Sequence, residues 1–372
     1  MLPCYNPRMM TFTRCLIVVL LLCLPALVQA VPLDLPDATV SASALDGLRL
    51  RAVPSEEAPV LEVLPAAAPL MLVGRDESGA WLQAYAPDGR VGWVAAAYVD
   101  VVLDVNLLPT LISGSALYPR LQLGEWVAEN VRSLYQAGQT LGNHGDRVAK
   151  VGDSITVSAN FLYPIADGFY EVSEYPYLQT VIDRFAAIPA SSFSRPSLAA
   201  GVGWNSTTVL NPAYADPTPC LVGEVPLLCE YRLLKPAFAI IMFGTNDVGL
   251  IPLESYRRHM DDIIRYTLGQ GIIPLVSTIP DRRDHTEEVG LFNRALIGLA
   301  HAYAIPLIDY AAPMQTLPEG GLTVDGVHPS SPARGYKGSA DFRTGNLDAG
   351  YVVRNLTALL MLDAVLDALG KE

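Results

Sequence analysis

The chain has 372 residues, 51% of them hydrophobic, and its 25 Lys and Arg stand against 38 Asp and Glu for a net charge of −13. That balance argues against a nucleic-acid binder, which needs clustered basic residues for phosphate contacts, and disfavours adsorption to an anionic membrane. The length allows more than one domain, and no internal repeat or low-complexity tract stands out.

At the N-terminus, Arg8 and Arg14 precede an apolar run from Cys15 to Leu24, followed by a stretch ending in Val28-Gln29-Ala30. A basic start, an apolar core and small residues at the end predict a secretory signal peptide over residues 1–30. The core is shorter than the roughly 20 residues of a membrane span. Leu22-Cys23 also lacks the small residue expected before a lipid-modified cysteine. The expected location is therefore secreted or cell-surface, with no membrane span once the signal is removed. Its loss takes two arginines and no acid, so the net charge moves from −13 to −15. Three of the five cysteines leave with it, and Cys220 and Cys229 remain. An exported chain with one pair reads as a single disulfide pinning a loop. The metal alternative lacks an accompanying His or Cys cluster, so no metal is expected.

Residues 37–102 consist of short alternating runs between turn signals: Gly47 to Arg51, Val60 to Leu64, Leu70 to Val73, Trp81 to Tyr85, Pro87-Asp88-Gly89-Arg90 and Val91 to Val94. Period-two patterning with closely spaced turns predicts a small all-β barrel, and Pro-Asp-Gly-Arg between two aromatic-bearing strands is a hairpin signal. On Leu48 to Arg51, Pro54-Ser55, Trp81, Asp88-Gly89 and Gly92-Trp93-Val94, the segment resembles the bacterial Src-homology-3-like domains of exported proteins. The resemblance implies binding to cell-wall peptides or sugars; the alternative is a spacer barrel whose Trp81 and Trp93 fill its core. Residues 103–119, interrupted by Pro and Gly, read as a linker to a domain over 120–372.

In that domain a helical stripe runs from Leu121 through Val127, Val131 and Leu134 to Gly138. Val148 to Val151 reads as a strand, and Gly152-Asp153-Ser154 turns the chain at its end. Helical spacing recurs over Tyr177–Phe185, Glu254–Leu268, Glu287–Tyr303 and Tyr351–Leu369. Apolar runs predict strands at Ala237–Phe243, Ile272–Ile279 and Pro306–Asp309. Strands alternating with helices imply a parallel sheet covered on both faces. The last helix carries Asp363 and Asp367 one turn apart, which predicts an amphipathic helix on a core.

Three segments carry chemistry. Ser154 follows a strand, where ligands of open α/β sheets bind. Gly244-Thr245-Asn246-Asp247 ends the Ala237–Phe243 strand. Asp325-Gly326-Val327-His328 spaces a carboxylate and an imidazole so that one can hold Nδ1 and leave Nε2 free, the base-and-orienter pair a serine nucleophile needs. Each alone is weak; Gly-Asp-Ser by itself is a common turn or helix cap. Together and in this order they resemble the SGNH, or GDSL-type, serine hydrolases. That resemblance implies a flavodoxin-like three-layer α/β/α fold with a parallel sheet. It makes Ser154 the nucleophile, His328 the base and Asp325 its partner. It also implies an oxyanion hole of the Ser154 N–H, a glycine N–H and the Asn246 amide. Gly201 and Gly203 are the candidate glycines, and Gly203 is preferred.

Other features carry less. His285, in Asp281-Arg282-Arg283-Asp284-His285, could line the cleft but reads more simply as a polar loop residue. His144, His259 and His301 look like surface or helix residues. Gly201-Val202-Gly203 is half a dinucleotide fingerprint, without the third glycine or a preceding strand. Asp153 and Asp247 could pair for glycoside hydrolysis but suit bracing roles better. Asn205 and Asn355 fit the glycosylation sequon, a short match that arises by chance.

The function expected is an exported esterase working through an acyl-enzyme without cofactor, O-deacetylating a glycan or wall polymer. The alternatives are a lipase or acyl-thioesterase, and a wall-binding protein that keeps the hydrolase fold without catalysis.

Overall fold

A computed structural model describes residues 37–114, 117–186 and 191–370; the predicted signal peptide lies outside them. Seven short strands open the fold: Ala38–Val40 (β1), Leu48–Arg51 (β2), Val60–Leu64 (β3), Pro69–Asp76 (β4), Trp81–Tyr85 (β5), Val91–Ala95 (β6) and Val99–Val101 (β7). They lie in the order β3-β2-β6-β5-β4-β1-β7 with antiparallel neighbours. Alternation sends Leu48 and Leu50, Leu70 and Leu72, and Leu82 and Ala84 into one core. Trp81 and Trp93 sit on the other face of their strands from Leu82 and Val94 and outside that core cluster, where Trp93 is buried and Trp81 half-buried.

Residues 103–119 do more than connect. Thr110–Ile112 (β8) runs parallel to β4 and antiparallel to Arg120–Gln122 (β9). Leu121 therefore lies in a strand, and the helix expected from it begins at Glu125, after an extended Gly124, and ends at Thr140.

The second region is built on four parallel strands, His144–Gly152 (β10), Pro236–Met242 (β11), Ile273–Ser277 (β12) and Leu307–Ile308 (β13), side by side in that order. Every residue of β11 and β12 is buried, which requires cover on both faces and explains their unbroken apolar sequences. The helices over 253–269 and 286–302 pack on one another and on β12; the helix over 125–140 packs on β11, β12 and the last helix. On the free side of β10, Ala200 makes a single parallel bridge to Gly152. Counting that bridge as a reduced strand, the order is 2-1-3-4-5, so β10 and β11 flank the point where the winding reverses.

The last helix, Gly350–Ala368, departs from the amphipathic expectation. It is buried at every position from Gly350 to Leu366. Asp363 does not face water but accepts a hydrogen bond from Arg120 at 2.8 Å. The sequon at Asn355 falls in the same helix. Asn355 is fully buried, its amide bonded to the Leu162 N–H and to the Asn160 and Ser339 carbonyls, which bars a glycan in the folded protein.

The described residues belong to one compact unit. Met71, Val73 and Tyr85 of the barrel cluster with Ile297 of the 286–302 helix. Around them, the Tyr85 hydroxyl donates to Asp309, His301 Nδ1 lies 3.3 Å from Asp37, and Arg294 donates to the Pro87 carbonyl at 2.7 Å.

Candidate active site

Ser154 opens a four-residue helix directly after β10. The turn needs glycine at 152, because a Cβ there would sit 2.2 Å from Thr156 Oγ1 and 2.6 Å from the Met242 carbonyl. Asp153 caps the turn, its Oδ1 accepting the Ile155 N–H at 2.9 Å. Burial pushes the Asp153 carboxyl up to about 6, against the opposing pull of that N–H and of Arg354. Arg354 is itself fully buried. It donates to Ser277 Oγ at 2.8 Å and lies over the rings of Phe161 and Tyr310, at 4.7 and 5.2 Å. Burial lowers its pKa to about 10. It makes no ion pair among the described residues, and nothing in the sequence marked it out.

The chain returns to Ser154 after 174 residues. His328 Nε2 lies 2.9 Å from Ser154 Oγ, and His328 Nδ1 lies 2.7 Å from Asp325 Oδ2. The other carboxylate oxygen accepts the Thr323 hydroxyl at 2.6 Å and the N–H groups of Val327 and His328 at 2.9 and 3.0 Å. Desolvation raises the Asp325 pKa, but these donors outweigh it and hold the group well below the usual carboxylate range. A carboxylate at Nδ1 suits the tautomer with its proton there, leaving Nε2 to accept from the serine hydroxyl.

The two remaining loops are tied to each other. Gly244 has φ +133°, a conformation open to glycine, and it turns β11 into Thr245-Asn246-Asp247. Asn246 Nδ2 donates to the Trp204 carbonyl at 2.8 Å, which uses one of its two amide hydrogens. Asp247 is buried and accepts the Ser206 N–H, at 3.0 and 3.2 Å to its two oxygens, and the Ser206 hydroxyl. Burial raises the Asp247 carboxyl to about 6. In the same stretch, Gly201 donates its N–H to the Gly152 carbonyl at 3.2 Å. Among the described residues no acceptor takes the N–H of Gly203 or Ser154. The bracing role expected of Asp247 is met through Ser206; that partner was not visible in the sequence, because it lies 41 residues away.

Among the described residues, no histidine other than His328 is bonded to Ser154. His301 is at the barrel junction, His259 lies 3.2 Å from Ser206 Oγ, and His285 sits between Asp284 and Glu288. Cys220 and Cys229 are joined in a disulfide with Cα atoms 5.3 Å apart, at the entry to the helix over 226–234 that leads to β11. With Glu224 they form a compact group, but sulfurs bonded to each other are not free to ligate a metal.

Residues 151–337 match the model of the GDSL-like lipase/acylhydrolase family, and residues 46–100 match that of the bacterial SH3 domain. No curated protein matches the chain. Among solved structures, a GDSL-like lipase from Bacteroides thetaiotaomicron is 18% identical with a TM-score of 0.35, over 65% of this chain and 99% of its own. An acetylxylan esterase from Geobacillus stearothermophilus is 15% identical with a TM-score of 0.39, over 59% and 95%. The psychrotrophic esterase EstA from Pseudoalteromonas sp. is 13% identical with a TM-score of 0.36, over 60% and 99%.

Proposed function

Because the chain belongs to the GDSL-like lipase/acylhydrolase family and carries a bacterial SH3 domain, we propose that it is a serine esterase whose nucleophile is Ser154. The observation that carries this reading is the unbroken hydrogen-bonded line from Asp325 through His328 to Ser154 Oγ, at 2.7 and 2.9 Å. A serine hydroxyl is nearly inert at neutral pH and needs a base in contact. His328 takes the Ser154 proton as Oγ adds to the ester carbonyl, and returns it to the departing alcohol. Asp325 holds the imidazole and favours its cation at that moment. The carbonyl oxygen, negative in the tetrahedral intermediate, is met by the Ser154 and Gly203 N–H groups and the second amide hydrogen of Asn246. Water then attacks the acyl-enzyme by the same route and releases the acid. No step calls for a metal or cofactor.

The finer reading is an exported enzyme, with a signal peptide over 1–30, a barrel over 37–102, a connecting stretch over 103–119 and a catalytic domain over 120–372. The barrel holds the enzyme on a wall polymer, from which the site removes O-acetyl groups. Its support is the pairing of a hydrolase with a bacterial SH3 domain in an acidic chain carrying a disulfide. A second reading, hydrolysis of longer acyl esters, is favoured by aliphatic side chains in the site's own loops: Val202, Leu250 and Val324 are 80%, 65% and 100% exposed. Acetate release from acetylated glycans, measured beside p-nitrophenyl esters of rising chain length, tests both. Activity confined to acetyl esters supports deacetylation, rates climbing to medium chains support the second, and hydrolysis of neither contradicts the esterase.

A further inference from the structure

Between β12 and the helix over 286–302, the loop 281–285 touches both the Asn246 loop and the Asp325–His328 turn. The Arg282 guanidinium donates to the Thr245 carbonyl at 2.8 Å and the Val248 carbonyl at 3.1 Å. These two residues bracket Asn246 and Asp247. The neighbouring carbonyls of Gly244 and Asp247 are spent inside the turn, on the N–H groups of Asp247 and Val248 and of Leu250 and Ile251 respectively. Arg282 thus takes up two carbonyls, those of Thr245 and Val248, that the turn itself leaves over. Its own fork is fixed from behind by Asp284, at 2.9 and 3.2 Å. One residue on, the Arg283 N–H donates to the Gly326 carbonyl at 3.0 Å, inside the turn that carries Asp325 and His328.

We propose that Arg282 is a positioning residue for the esterase reaction: it sets the Asn246 loop against the acid–base turn, so that the Asn246 amide reaches the oxyanion. Among the described residues, the side chains of Asn246 and Asp247 are bonded to Trp204 and Ser206, in the stretch that follows Gly203, and not to the Asp325–His328 turn. A planar, always-charged fork with five donors is the side chain that can hold two carbonyls and one carboxylate together. A displaced donor of about 1 Å suffices to cost on the order of 100-fold in rate.

The inference rests on the reading that Asn246 is an oxyanion donor, and its test separates the two. In the full-length chain, Arg282→Ala should lower kcat on p-nitrophenyl acetate about 10- to 100-fold, with KM changed less than about threefold and the pH profile of kcat/KM unmoved. Amide hydrogen exchange over residues 244–251 should quicken in the same variant. Arg282→Lys keeps the charge and a donor for the two carbonyls but loses the fork to Asp284, so it should recover part of the rate and of the protection, and it remains informative if the alanine variant does not fold. Asn246→Ala supplies the separate control on the oxyanion donor. Unchanged exchange over 244–251 in Arg282→Ala, or a lysine variant no better than alanine, overturns the role of Arg282 whatever the activity does. Quickened exchange together with full activity in both Arg282→Ala and Asn246→Ala overturns the oxyanion reading instead.

Discussion

The Tyr85 hydroxyl of the barrel donates to Asp309, a carboxyl buried just past β13, the last strand of the parallel sheet. Burial raises the pKa of Asp309, and the bond from Tyr85 opposes that rise. The barrel is therefore not a tethered accessory. It supplies a donor to the interior of the domain that carries Ser154.

Tyr85→Phe should then destabilise the protein by about 1–3 kcal/mol, the cost of leaving a buried acceptor under-satisfied. Chemical denaturation should still show one transition, with barrel and α/β signals moving together. Two separated transitions in the unmodified protein would show that the junction does not couple the regions.

Asp153 gives a pH dependence whose sign is fixed. Folded, its carboxyl holds a proton up to about 6, while the unfolded value is near 3.8. Between about pH 4 and 6 the native state binds more protons than the unfolded state, so this residue's contribution to stability falls as pH rises through that window. Asp153→Asn keeps the cap to the Ile155 N–H and removes the titration. Its stability relative to wild type should improve by up to about 3 kcal/mol between pH 4 and pH 7. A constant difference across that range would show that Asp153 is ionised throughout.

Asn355→Ala should cost about 2–4 kcal/mol, since it strands the buried Leu162 N–H and two carbonyls at once. Intact-mass measurement on protein made in a glycosylating host should find Asn355 unmodified. A glycan there in folded protein would mean that the helix over 350–368 does not pack as described.

Reduction of the Cys220–Cys229 bridge should lower stability by at most about 2–3 kcal/mol, because the closed loop is short and its entropy small. Equal melting temperatures with and without reductant would place the loop's ordering in the Arg232–Glu224 pair, at 2.8 Å, instead of the bridge.

Local signals located much of this architecture. The run Ala237–Phe243 reads as a buried strand because a strand covered on both faces has no polar alternation to confuse it. Ser154, Asn246 and His328 were visible because they lie at strand ends and tight turns, where glycine and spacing are forced. What stayed hidden depends on contacts across long separations. Asp363 and Asp367 look like the wet face of the last helix, but Arg120, 243 residues earlier than Asp363, covers Asp363, and only Asp367 is exposed. Leu121 fits a helical stripe, yet pairing with Leu111 puts it in a strand. Arg354 and Arg282 are ordinary arginines in the sequence, given meaning only by the buried aromatic rings and the loop carbonyls that meet them.

Mass spectrometry of the protein after reaction with a fluorophosphonate, run beside Ser154→Ala, tests the role of Ser154 most directly. Covalent phosphonate on the peptide containing Ser154, absent from the alanine variant, is the result expected of a hydroxyl activated by His328. Full-length folded protein that takes up no label, or takes it up equally after Ser154→Ala, would contradict it.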